Sequence, residues 1–365
     1  MNVPYLDLAA HHRPIRAELD RAIGAVIDAN AFVSGPAVRD FEAAFAGYVG
    51  AKHCVAVGSG TDALHVALLA MGVGPGDEVI TQANTFIATI EAILYTGARC
   101  VLVDVAPPTY TIDIGKVAEA ITARTKAIVP VHLFGQPCDI AAIRALAREK
   151  NIAILEDASQ AHGAEVDGAR IGSTGVAGWS FYPGKNLGAL GEGGGVTCDD
   201  DDVAAQIRVL IDHGSAQKYV HRIVGYNYRM DGIQGAALGV KVRHLEEWVR
   251  ARGRVAEKYN AAFVDVSKPR VPGGIRHAWH VYPLFVRDRD AARDALAAEG
   301  IGSNVHYPIP VHLQEGYSHL GYAKGSFPGA EFVAAHELSL PIYPEISDAQ
   351  VQAVIDSVSR IVVSA

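Results

Sequence analysis

From residue 51 to about 212, short apolar runs alternate with helical patterns. CVAVG precedes TDALHVALLAMG, EVITQ precedes FIATIEAILYTG, CVLVDV precedes IDIGKVAEAI, and AIVPVHL precedes DIAAIRALAREK. Each run is nearly continuous in apolar character, as expected of strands buried on both faces. The alternation predicts an α/β fold with a mostly parallel central sheet and helices on both sides. NIAIL and AGWSFYP read as two further strands. Ligands of such sheets collect outside the carboxyl ends of the strands.

The pattern changes after residue 230. MDGIQGAALGVKVRHLEEWVRARGRVAEKYNAAF predicts a long helical stretch joining a large domain, residues 1–244 with the N-terminal segment, to a smaller C-terminal α+β lobe, residues 245–365. The lobe carries a strand, HVYPLFVR, a helix, RDAARDALAAEG, and a loop-rich stretch, HYPIPVHLQEGYSHLGY. DDDD at 199–202 suits a helix start, where carboxylates meet the positive end of the dipole.

Composition narrows the class. The chain has 365 residues, 50% apolar and 20% charged, which suits a globular enzyme with a large core. MNVPYLDLAAHHRP lacks a charged region followed by an apolar one, and no apolar run reaches ~18 residues, so neither a signal peptide nor a membrane span is expected. Cys54, Cys100, Cys138 and Cys198 are scattered, as buried thiols of a cytoplasmic protein would be, and no metal site is expected. A formal charge of −8 argues against a nucleic-acid partner. It leaves room for anionic ligands held at helix N-termini.

The chemistry concentrates in EDASQAHGAEVDGARIGSTGVAGWSFYPGKNLGALGEGGG. Asp157 ends the NIAIL strand, and Lys185 lies in the turn after AGWSFYP. Alone, an aspartate there caps a strand end and a lysine is a surface charge. Together, at neighbouring strand ends, they are what pyridoxal 5'-phosphate (PLP) requires: an amine to hold the cofactor aldehyde as a Schiff base, and a carboxylate to keep a proton on the pyridine nitrogen. A desolvated site would lower the lysine pKa. Gly58-Ser59-Gly60-Thr61-Asp62-Ala63, between a strand and a helix, fits G-x-G-x-x-A with Glu78 farther on. That pattern suits a dinucleotide site and a simple phosphate site equally.

The Asp157-to-Lys185 block, PYLDL near the start, GYNYRMDGIQGA and LSLPIYPE near the end resemble the DegT/DnrJ/EryC1/StrS family of PLP-dependent nucleotide-sugar aminotransferases. The resemblance implies the aspartate-aminotransferase-like (type I) fold and a cofactor cycling between PLP and pyridoxamine 5'-phosphate. It implies Lys185 and Asp157 as catalytic residues. Gly60, Thr61 and Ser180 would bind the phosphate, Phe86 would stack on the ring, and Gln160 would contact the phenolic oxygen. Asn227 would reach the neighbour's phosphate in a homodimer with composite sites. Tyr182, Lys218, Tyr219, Arg229, His306, Tyr307 and His312 are the candidate substrate contacts, with Arg229 alternatively paired to Asp231. His162 could assist nearby. Gln160, GSAQKYVH and HYPIPVHLQ are most similar to the branch that aminates 3-keto sugars. The implied reaction moves an amino group from L-glutamate to a dTDP-linked 3-keto-6-deoxyhexose, with UDP-linked 3-keto or 4-keto sugars as the alternative. A PLP or sugar-nucleotide sensor without activity is a further reading. Lys185 argues against a dehydratase of the family.

Overall fold

The structure is a computed structural model and describes residues 1–362. Its centre is a seven-stranded sheet. In chain order the strands are β1 (His53–Val57), β2 (Glu78–Gln82), β3 (Arg99–Val103), β4 (Thr125–Val129), β5 (Ala153–Asp157), β6 (Val176–Ser180) and β7 (Gly194–Cys198). Their order across the sheet is β1-β7-β6-β5-β4-β2-β3. β7 runs antiparallel to both neighbours, and the other pairs are parallel. β2 and β7 are buried along their whole length, as inner strands covered on both faces are.

Helices cover both faces. The Gly60–Ala70 helix has Ala63 to Leu68 all buried, so it is wrapped by protein rather than half-exposed. Its leucines join one apolar cluster with Ile90 and Ile93, while Phe41, Phe45, Trp179 and Phe181 form another. The aspartate run starts a helix, Asp201–Ile211, with Asp200 Oδ1 accepting the N–H groups of Asp202 and Val203 at 2.8 and 3.1 Å. The four cysteines are buried and free.

The long helical stretch is two helices, Gly232–Lys241 and Leu245–Ala262, because its halves pack on different partners. The first lies against the Pro36–Val49 helix, close enough that a Cβ on Gly235 would sit 2.8 Å from Val38 Cγ2. Lys241 at its end is buried, its Nζ donating to Gly188 O at 2.6 Å. In the second helix Leu245 and Val249 belong to the sheet-side cluster, whereas Val255, Ala256 and Tyr259 belong to the C-terminal one. The change of core therefore falls inside this helix, not before it. Val3, expected with the large domain, also belongs to the C-terminal cluster. Its N–H donates to Gly300 O and its carbonyl accepts from Gly302, both at 2.8 Å. The C-terminal core is an antiparallel pair, β8 (Tyr282–Phe285) with β9 (Glu337–Leu340), backed by the Arg289–Ala298 and Asp348–Ile361 helices. Among the described residues no helix is long and apolar enough to cross a membrane.

Candidate active site

A cavity of about 760 Å³ lies outside the carboxyl ends of β1, β2, β4, β5 and β6. Ser59 and Gly60 follow β1, Thr85 and Phe86 follow β2, and Val131 and Leu133 follow β4. Asp157 and Ser180 end β5 and β6, and Lys185 stands on the turn beyond. Strand ends and helix starts meet here because each parallel strand must hand the chain to a covering helix on this side.

One wall presents donors. The Gly60–Ala70 helix is capped by Ser59, whose Oγ accepts the Asp62 N–H at 3.1 Å. The first N–H groups of a helix have no intrahelical acceptor, so those of Gly60 and Thr61 are free for an anion. Ser180 sits directly over Gly60: a Cβ there would lie 2.6 Å from Ser180 Cβ and 3.0 Å from its Oγ. Glycine at 60 is thus what lets the helix start and the serine hydroxyl share one concavity.

The floor carries the acid and the amine. Asp157 Oδ1 accepts the Ser159 N–H at 3.1 Å, and Oδ2 accepts the Thr89 hydroxyl at 2.8 Å, which also contacts Thr85 Oγ1. These bonds fix the carboxylate at the strand end. Burial pushes the Lys185 amine from the ordinary 10.5 down to about 8, against the opposing pull of Asp157. The glycines after Lys185 do not adopt positive φ. They are required for close approach: a Cβ on Gly188 would meet Pro183 O at 2.2 Å, and one on Gly194 would meet Ser59 O at 2.0 Å. Gly194 locks the Lys185 loop against the anion-binding wall.

The roof is aromatic. Phe86 is 50% exposed at the start of the Ile87–Tyr95 helix, so it is not the core residue its pattern alone allows. Its ring centroid is 5.3 Å from that of Tyr307. Gln160 joins roof and floor, its Oε1 accepting the Phe134 N–H at 2.6 Å and its Nε2 donating to Tyr307 Oη at 3.2 Å. Tyr182 and His306 complete this side.

Of the residues singled out in the sequence, Gly60, Thr61, Phe86, Asp157, Gln160, Ser180, Tyr182, Lys185, His306 and Tyr307 line this cavity. His312 does not. It is buried against Phe327, with its Nε2 3.0 Å from Glu331 Oε1, and serves the packing of its loop. Arg229 pairs with Asp212 at 2.6 Å, not with Asp231, whose carboxylate instead caps the Gly232–Lys241 helix. Asn227 lies beside it, away from the cavity of its own chain, with Oδ1 accepting from Arg229 at 2.7 Å. Lys218 and Tyr219 stand on an exposed hairpin, also outside that cavity, and Tyr219 is 83% exposed. His162 is packed among Phe45, Trp179 and Phe181, and burial holds it neutral, pushed down to about 3.

Several lining residues escape sequence reasoning, among them Tyr5, Thr89, Glu192, Arg252 and His280. Arg252 is buried, and its Nη1 donates to Ile342 O at 2.6 Å and Trp279 O at 3.2 Å. Its signal was faint, one arginine among several on a helix. Thr89 carried a better one, lying one helical turn from Phe86 at the same strand end.

The profile of the DegT/DnrJ/EryC1/StrS aminotransferase family fits residues 14–359. The chain is 43% identical over 360 residues to dTDP-3-amino-3,4,6-trideoxy-alpha-D-glucose transaminase of Streptomyces venezuelae, covering 98% of this chain and 95% of that protein. It is 43% identical over 361 residues to a UDP-N-acetyl-3-dehydro-alpha-D-glucosamine 3-aminotransferase of Acidithiobacillus ferrooxidans, covering 98% and 97%. Among solved structures, that of S. venezuelae DesV in complex with a ketimine intermediate superposes with a TM-score of 0.97 at 43% identity, covering 98% of both chains.

Proposed function

The chain belongs to the DegT/DnrJ/EryC1/StrS aminotransferase family, and from that premise we propose that it uses PLP to move an amino group from L-glutamate to the C3 keto group of a dTDP-linked 6-deoxyhexose. The observation that carries the reading is the buried amine of Lys185, pushed down to about 8, facing the anchored carboxylate of Asp157 in one cavity beside a helix N-terminus.

The residues present fit the cofactor. The cradle between Gly60 and Ser180, which a Cβ would fill, suits a phosphate held by the Gly60 and Thr61 amides and the Ser180 hydroxyl. When bound, the cofactor supplies an aldehyde for amine exchange and a cationic ring that takes up electrons. Asp157 holds the proton on the ring nitrogen, and Thr89 and Ser159 keep its oxygens in place. Phe86 covers the flat face and excludes water from it. Gln160 Nε2 supports the phenolic side together with Tyr307. Lys185 Nζ serves as the base that takes and returns the proton beside the reacting carbon. Its lowered pKa leaves about a tenth of it unprotonated at pH 7, far more than an ordinary lysine.

The second substrate brings a diphosphate. Among the described residues lining the cavity, Lys185 and Arg252 are the formally cationic ones, and Arg252 is engaged with carbonyls. A homodimer would supply the missing groups: Asn227 to the partner's cofactor phosphate, and Lys218 and Tyr219 toward the sugar nucleotide. The exposure of the 215–221 hairpin supports this arrangement. A UDP-linked 3-keto sugar is the second reading, favoured by the relative that acts on one. The test is kcat/KM with dTDP- and UDP-linked 3-keto sugars and glutamate as donor, with NMR of the product to locate the nitrogen. Amination exclusively at C4 would overturn the acceptor assignment.

A further inference from the structure

Glu337 is a fully buried carboxylate beside the cavity that the chemistry above leaves unused. Its Oε2 accepts the backbone N–H of His306 at 2.6 Å. Its Oε1 is in contact with the hydroxyl of Ser339, also fully buried. Ser339 Oγ in turn lies 2.7 Å from His306 Nδ1. The ring of His306 lines the cavity, and its other nitrogen, Nε2, has no hydrogen-bond partner among the described residues. Carboxyl, hydroxyl and imidazole thus form a file ending at the substrate space, and the Tyr5 phenol is a further hydrogen-bond partner of Ser339 that can donate to it in either state of the file.

Such a file has two self-consistent proton arrangements, because a serine hydroxyl has one proton to give. Oε2 already accepts an N–H, so a proton on the acid belongs on Oε1, facing Ser339. In that state Glu337 donates to Ser339, Ser339 donates to Nδ1, and the imidazole carries its proton on Nε2. When Glu337 is ionised, Ser339 donates to Oε1 and accepts from Nδ1–H, and Nε2 is a bare acceptor. We propose that Glu337 and Ser339 are positioning residues that set the tautomer of His306, and so decide whether Nε2 offers the bound sugar a donor or an acceptor.

The surroundings put the change in an accessible range. Burial raises Glu337 to about 8, opposed by Ser339, the His306 amide and the Arg289 guanidinium. Burial and the nearby Lys185 push His306 down to about 4, so the ring stays uncharged while Glu337 titrates. Tyr5 and Tyr307, the phenols facing this group, are raised above their ordinary value and keep their protons. Below pH about 8, therefore, Nε2–H points a donor at a sugar oxygen; above it, the polarity reverses. Only the identity of the ligand as a sugar rests on the function proposed above.

The test is long-range ¹H–¹⁵N NMR of the full chain labelled with ¹⁵N-histidine, with His306 assigned through His306→Gln. Wild type should pass from the Nε2–H to the Nδ1–H tautomer as pH rises through about 8. In Glu337→Gln the amide NH₂ donates to Ser339 as the protonated acid does, so the Nε2–H tautomer should persist to pH 9. Ser339→Ala should also abolish the step, and it covers the case in which Glu337→Gln fails to fold. A His306 tautomer that does not change in wild type, or that still changes in both variants, overturns the proposal. In turnover, KM for the keto sugar should rise about fivefold between pH 7 and 9 in wild type and stay level in Glu337→Gln, the size of one hydrogen bond. Absence of turnover with every keto sugar would refute the proposed function and leave the tautomer result standing.

Discussion

Removing the negative charge of Asp157 should make Lys185 a freer amine and a worse catalyst at once. An amine of pKa 10.5 is ~0.03% unprotonated at pH 7, whereas one at about 8 is ~10%, so burial, even after the opposing effect of Asp157, supplies about 300-fold more free base. Asp157 works against this, because its carboxylate stabilises the ammonium form. Asp157→Asn therefore lowers the amine's pKa further. The same substitution removes the anion that holds a proton on the ring nitrogen, so the half-reaction with glutamate should slow severely while the phosphate cradle still binds cofactor. The two effects separate in the apoprotein. Acetic anhydride labelling across a pH series, read by mass spectrometry of the Lys185 peptide, should give a midpoint near 8 in wild type and a lower one in Asp157→Asn. A wild-type midpoint near 10, or an upward shift in the variant, would refute the account of how Lys185 is activated. A near wild-type half-reaction in the variant would make Asp157 a structural residue.

Thr89→Val keeps shape but removes the hydroxyl that donates to Asp157 Oδ2. A bond to a charged group is worth about 1.5 kcal/mol or more, so single-turnover rates with glutamate should fall about tenfold or more while cofactor occupancy holds. Gly60→Ala forces a Cβ to within 2.6 Å of Ser180 Cβ, so fluorescence titration should show weakened cofactor binding. Gly74→Ala, where a Cβ meets nothing within 4 Å, should bind normally. Lys185→Ala and Asn227→Ala, inactive separately, should recover about a quarter of wild-type activity when mixed and allowed to exchange, since half the dimers then hold one intact site. No recovery despite demonstrated exchange would place Asn227 outside the partner's site.

The parallel half of the sheet was legible because a strand buried on both faces is mostly apolar and β-branched, as CVLVDV and AIVPVHL are. β7 was not legible in the same way. Its sequence, GGVTC, has glycines where a strand pattern wants bulk, and the reason appears only in three dimensions: Gly194 must lie under Ser59 O. The helix break at 242–244 left no proline or glycine signal. It arises because the chain changes packing partners there, and tertiary contact outranks helical propensity.

The site divides along the same physical line. Gly60, Asp157, Ser180 and Lys185 could be brought to one place from sequence because they stand where a strand stops and a helix or turn begins, which local pattern encodes. Arg252 and Tyr5 could not, because they come from a helix and the N-terminal segment and meet the cavity only once the C-terminal core has closed over it, and Glu337 on β9 reaches it only through His306. The misreadings have the same origin. His312 looks like a ligand in HYPIPVHLQ, yet its partner Glu331 lies on the following helix, and no spacing rule links the two. The cofactor end of the cavity is therefore built from local signals on one sheet edge, whereas the end that would recognise the sugar is built from long-range contacts, and in a dimer from a second chain as well. Acceptor choice could then shift through residues such as Glu337 and Ser339 without disturbing the strand ends proposed to carry the amine chemistry.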